Sequence, residues 1–87
     1  MFKYKTHTTD QGEGEKGHYE HYTFKFKNNY GASVIRRDGS HGYGLGLYEL
    51  MPIYWNDENY SHNSEPIGNL TVEEVNNKLD EIKEKII

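Results

Sequence analysis

The chain has 87 residues, a mass of 10.2 kDa and a formal net charge of −4 at pH 7, the size of a single domain spanning residues 1–87. It has no cysteine, so a disulfide-stapled toxin and a thiolate metal centre are excluded. No apolar run approaches the ~18 residues that would cross a bilayer as a helix, so no membrane role is expected. Met1–Tyr4 does not open a signal peptide, which leads to the expectation of a cytoplasmic location.

Leu, Ile, Val and Phe total 17 residues, a share at which disorder comes into question. The modest net charge and twelve aromatic residues, eight of them tyrosine, favour a folded domain with large rings in its core. A chain this short buries only about 60% of the surface its unfolded form exposes. Self-association into a homodimer that buries more apolar surface is therefore an expectation.

In chain order, Phe2–Thr6 alternates apolar and polar residues with the period of a half-buried strand. Thr8–Gly17 is polar and glycine-containing and reads as a loop. Tyr22–Lys27 is the clearest strand, with Tyr22, Phe24 and Phe26 on one face and Thr23, Lys25 and Lys27 on the other. Asn28–Gly31 suits a tight turn, Ala32–Arg36 a third strand, and Asp38-Gly39 a further turn. A glycine-rich stretch leads to a fourth strand at Leu47–Met51. Pro52 places that strand's end at an edge or bulge, with Ile53–Trp55 as an extension. Asn56–Glu65 reads as an acidic loop.

The helix signal is stronger. Thr71 stands three residues before Glu74, the capping-box spacing that satisfies orphan N–H groups at a helix start. Val75, Leu79, Ile82 and Ile86 then recur on one face. A helix over Val72–Lys85 follows. The fold class expected is α+β, a four-stranded antiparallel sheet packed on one C-terminal helix. The helix is placed on the Phe24/Phe26 side, so that the lysines face outward on the reverse side.

Catalytic chemistry finds no foothold in the sequence. Gly42–Gly46 lacks the following helix and Lys-Ser or Lys-Thr pair of a phosphate loop. His18 and His21, three apart, point to opposite faces of a strand, and His7, His41 and His62 lie in isolated loop positions. No serine sits in a Gly-x-Ser-x-Gly elbow. Glu49 lies between apolar neighbours, where a structural hydrogen bond is the simpler role. No catalytic residue, metal or cofactor is assigned, and the expectation is a non-enzymatic protein.

Charge and aromatic content point to binding. Residues 1–45 carry seven basic against five acidic residues, whereas 46–87 carry three lysines against nine acids. Lys3, Lys5, Lys25, Lys27, Arg36 and Arg37 could form a basic sheet face for nucleic acid. The competing role of such lysines is to keep a sheet face solvated. Tyr43, Tyr48, Tyr54, Trp55 and Tyr60 cluster around the fourth strand, and tyrosine and tryptophan dominate binding energy at interfaces. The expected protein-contact surface comprises Tyr48, Tyr54, Trp55 and Tyr60, with Asp57 and Glu58 of the acidic loop. A third reading is a small-ligand or nucleotide-sequestering oligomer with pockets between subunits.

The segments Tyr30-Gly31-Ala32-Ser33-Val34-Ile35, Gly46-Leu47-Tyr48-Glu49-Leu50 and Gly68-Asn69-Leu70-Thr71-Val72-Glu73-Glu74-Val75 together resemble a family of short, uncharacterised phage and prophage proteins of Gram-positive bacteria. The resemblance spans roughly residues 24–83, and its motifs are structural, so it carries no catalytic residue across. It departs in Met51–Glu65 and in the loop before Tyr22. The resemblance implies an accessory role in infection, in the bacterial host's cytoplasm, by binding and inhibiting a host factor or a defence system in the manner of an anti-CRISPR.

Overall fold

A computed structural model describes residues 2–14, 17–37, 47–62 and 64–84. Among them six strands and one helix follow in order: β1 Thr8–Gly14, β2 Gly17–Lys25, β3 Tyr30–Arg37, β4 Tyr48–Asn56, β5 Asn59–Ser61, β6 Ile67–Leu70 and α1 Val72–Lys83. Every pairing is antiparallel, in the order β1-β2-β3-β4-β5. β6 joins the same outer edge of β4 as β5, nearer the start of β4. The α+β class stands, and the count of four strands is corrected to six. The expected turn at Asp38-Gly39 and the glycine run Gly42–Gly46, with His41, Tyr43 and Lys85, lie outside the described residues.

Two N-terminal expectations are overturned. Phe2–Thr6 is not a strand, although its alternation is real. It is a strap that turns two rings inward: Phe2 meets Tyr22, Phe24 and Tyr48 edge-on at 5.2, 5.7 and 5.4 Å, and Tyr4 meets Phe26 at 5.2 Å. Thr8–Gly14, read as a loop, is the edge strand β1, paired with β2 from Thr8↔Thr23 to Gly14↔Gly17. An edge strand solvated on both faces is held by its backbone ladder, so no apolar alternation marks it.

Alternation builds the core. Tyr22 and Phe24 of β2, Ala32 and Val34 of β3, and Tyr48 and Leu50 of β4 share one face, and Val75 and Leu79 of the helix close over it. Phe24 lies in that core and Phe26 packs against it, as expected of the helix side. The capping box forms at Thr71 and Glu74, with bonds of 3.0 and 3.2 Å. At the other end Asn28 Nδ2 donates to the carbonyls of Ile82 and Lys83 at 3.0 and 3.3 Å, occupying helix-end acceptors.

These two anchors set the helix on a diagonal. It starts beside β6, whose Leu70 pairs with Tyr48, and ends at the β2–β3 turn. Two corners of the helix-side face are left beyond it: one around Glu20, Arg36 and Tyr48, the other around Tyr30, Tyr54 and Pro52. The strap runs beside the helix on the β2 side. Lys3 N donates to Asn76 Oδ1 at 2.8 Å, while Lys3 Nζ and the Tyr4 hydroxyl both donate to Asp80.

Pro52 sits within β4 without breaking it. Trp55 N–H donates to Asn29 O on the β3 side at 2.7 Å. By alternation the ring nitrogen and carbonyl of Pro52 face the outer edge, between the registers of β5 and β6. Among the described residues no strand pairs with it there, so no ladder bond is lost to one.

Candidate functional site

On the reverse face, Trp55 lies across Gly31 and donates from Nε1 to the Phe24 carbonyl at 2.9 Å. A Cβ at residue 31 would stand 1.8 Å from that carbonyl oxygen, so only glycine fits. His7 and Tyr60 meet the indole edge-on at 4.9 and 5.0 Å, and Lys25 Nζ lies over it at 5.3 Å. Glu58 faces His7 at 3.1 Å and Lys25 at 3.7 Å. The hydrogen bond from His7, then the Lys25 charge, hold its carboxyl below the usual range. This cluster ties the strap's end to the β4–β5 hairpin.

The six residues expected to form one contact surface are therefore divided. Tyr48 is buried on the helix side and Trp55 on the reverse side. Tyr54 and Tyr60, 40% and 41% exposed, flank the hairpin on opposite faces. Asp57 and Glu58 form its exposed two-residue tip, where Asp57 takes a positive φ of 61° and its carbonyl accepts a bond from Lys25. Alternation along β4 puts Tyr48 and Tyr54 on one face and Trp55 on the other, and the register sends Tyr60 to the Trp55 face.

The basic residues are divided as well, correcting the expected basic face. Lys3 pairs with Asp80 of the helix, Lys25 covers Trp55 on the reverse face, and Arg36 lies on the helix-side face with Glu20. Lys5 and Lys27 are exposed in the strap and the β2–β3 turn, and Arg37 closes β3.

One constellation has no counterpart among the expected sites. The Glu20 side chain, 4% exposed, receives bonds from Arg36 Nε at 2.8 Å and the Tyr22 hydroxyl at 2.6 Å. The Tyr48 hydroxyl stands at 3.4 Å and His18 Nε2 at 3.4 Å, while Arg36 covers the Tyr48 ring. Burial works against the Glu20 charge, but the Tyr22 and Arg36 bonds outweigh it and hold the carboxyl below its ordinary value. Burial, with the adjacent Glu20 carboxylate, pushes both Tyr22 and Tyr48 up. Those three groups move away from neutrality, the reverse of an acid–base pair tuned for catalysis near pH 7. The signal was in the alternation, since Glu20 shares a face with Tyr22 and Phe24, and Arg36 with Val34.

His18 and His21 do point to opposite faces. His21 Nε2 lies 2.8 Å from Ser33 Oγ on the reverse face. Ser33 sits mid-strand in β3, which is paired on both sides there, so its neighbouring amides serve the ladder and make no oxyanion hole. Glu49 is half-buried on the same face. Among the described residues no group of His, Asp and Glu has metal-site geometry.

The corner at Tyr54 is different. A cleft of ≈ 280 Å³ opens there, lined by Tyr30, Pro52, Ile53, Tyr54, Ser61, His62 and Ser64. Register aligns Tyr30, Tyr54 and Ser61 across three strands on one face, and the two rings meet edge-on at 5.2 Å. The helix, directed toward Asn28, passes this corner by. Comparison with family models, curated proteins and solved structures gave no match.

Proposed function

We propose that this chain is a small phage-type accessory protein acting as a non-enzymatic protein-binding module, an inhibitor of a host factor or defence system. The contact surface is the β4–β5 hairpin with the corner beside it: Tyr54 and Tyr60, with Asp57 and Glu58 at the tip. Trp55 supports that surface from within, against Tyr60, whereas Tyr48 belongs to the Glu20 corner. The supporting observation is that Tyr54 and Tyr60 are the large hydrophobic side chains left exposed among the described residues, and both stand on one hairpin. Rings of this kind, rigid and amphipathic, suit interface anchors. The acidic tip favours a partner with a basic rim.

The test is quantitative capture from a Gram-positive bacterial lysate by the tagged chain and by its Tyr54→Ala/Tyr60→Ala variant. A protein enriched by the first and lost by the second, with far-UV dichroism unchanged, is expected. Titration of that purified protein then gives the affinity. Identical capture profiles would reject the hairpin as the contact surface.

A further inference from the structure

We infer that the corner cleft takes an arginine side chain from a basic loop of the partner, an assignment that rests on the protein-binding reading above and specifies its chemistry. Three observations converge on a planar cation.

The first is the pair of rings. Tyr30 and Tyr54 stand edge-to-face on the sheet and both line the cleft, so it is walled by aromatic rings, the surface on which a guanidinium stacks best. Lysine, a compact and strongly hydrated charge, gains less from such a face.

The second is the acceptor set. The Pro52 carbonyl is directed at the outer edge of β4, where neither β5 nor β6 has a register partner for it among the described residues. Pro52 contributes no N–H of its own there. The Ser61 hydroxyl stands on the same cross-strand row as Tyr54. A guanidinium brings five N–H donors in a fixed fork and no acceptor, the complement of an edge that offers oxygen atoms.

The third is charge. Asp57 at the hairpin tip and Glu65, which follows the lining residue Ser64, are both exposed. These two exposed carboxylates beside the cleft draw a basic loop and repel an acidic one.

The experiment titrates the isotope-labelled full chain with blocked pentapeptides carrying a central arginine, lysine or proline, reading amide shifts by NMR. Arginine should move the amides of Ile53, Tyr54 and Ser61 with millimolar affinity, about tenfold tighter than lysine. Tyr54→Ala should abolish those shifts while the rest of the spectrum keeps its dispersion. Glu65→Lys should weaken them about threefold. Equal binding of lysine, tighter binding of proline, or shifts spread over the helix carboxylates would each overturn the assignment. Silence toward the arginine peptide, with capture still lost in the Tyr54→Ala/Tyr60→Ala variant, overturns the arginine assignment alone. Unchanged capture overturns the hairpin as the contact surface, and the arginine assignment with it.

Discussion

The two corners that the diagonal helix leaves on its own face of the sheet have opposite fates. At the Glu20 corner the strap brings Phe2 against Tyr22 and Tyr48, and Arg36 closes over Tyr48. A carboxylate, a guanidinium and two phenols satisfy one another there, and no buried side-chain polar atom lacks a partner among the described residues. At the Tyr54 corner no strap passes, and two tyrosine rings line an open cleft. Density of ionisable groups therefore marks the corner committed to the fold, whereas partial exposure of aromatic rings marks the corner with surface to offer.

The largest test of this contrast removes the carboxylate. Glu20→Ala leaves Arg36 and the Tyr22 hydroxyl without their shared acceptor and should cost about 3 kcal/mol in urea unfolding. A loss under about 1 kcal/mol would mean that the corner is wet and the two corners are alike. The pH dependence sharpens the point. The Glu20 carboxyl is held below its ordinary value of 4.5, so its charge stabilises the fold fully above pH 4.5. That contribution is lost as pH falls through the native value. Tyr22 is raised above its ordinary 10.0, so its contribution is complete below pH 10 and fades as pH rises beyond it. The stability difference between the wild type and Glu20→Gln should be full at pH 7 and shrink below 4.5. A difference that stays constant into acid would refute the ionised network.

Smaller effects probe what holds the hairpin and the helix in place. Trp55→Phe keeps a ring over Gly31 but deletes the donor to the Phe24 carbonyl, at a cost of about 1.5 kcal/mol by chemical denaturation. Tyrosine fluorescence or dichroism must report it, because Trp55 is the only tryptophan. Thr71→Ala removes the acceptor for Glu74 N and should cost about 1 kcal/mol. Neither variant should alter the acid limb set by Glu20; a shared change would mean that the hairpin or the helix start is coupled to the Glu20 corner.

What the sequence made legible follows from where its signals are local. The helix start was readable because a capping box and a 3.6-residue period coincide at Thr71–Leu79, and the central strands because Tyr22, Phe24, Ala32 and Val34 keep period two. β1 was not readable, since Thr8–Gly14 has no apolar face to pattern and is held by backbone bonds to β2. Phe2–Thr6 misled for the opposite reason: two rings at alternate positions serve a strap as well as a strand. Of the expected contact residues, Tyr54 and Tyr60 are the exposed rings. Tyr48 shares a face with Tyr54, and Trp55 with Tyr60; which part of each face is covered depends on a helix and a strap distant in sequence. Glu20 was passed over because a carboxylate between His and Tyr reads as surface until its partner Arg36, sixteen residues on, arrives across the ladder.

The smallest stability effect belongs to the open corner. Tyr54 is 40% exposed, and its ring contact with Tyr30 is a cross-strand aromatic pair at 5.2 Å. Such pairs stabilise by about 0.2–1 kcal/mol. Tyr54→Ala should therefore lower stability by about 0.5 kcal/mol, roughly a sixth of the Glu20→Ala effect, while reducing partner binding at least about tenfold. The two ratios act as a check on each other. If Tyr54→Ala destabilises as much as Glu20→Ala, the cleft is a working part of the core and its loss of binding is indirect. If it destabilises little and binding persists, the exposed ring is solvated surface without a partner. Only a variant that is nearly silent in unfolding and strongly deficient in binding keeps the two corners distinct, one serving the fold and the other serving recognition.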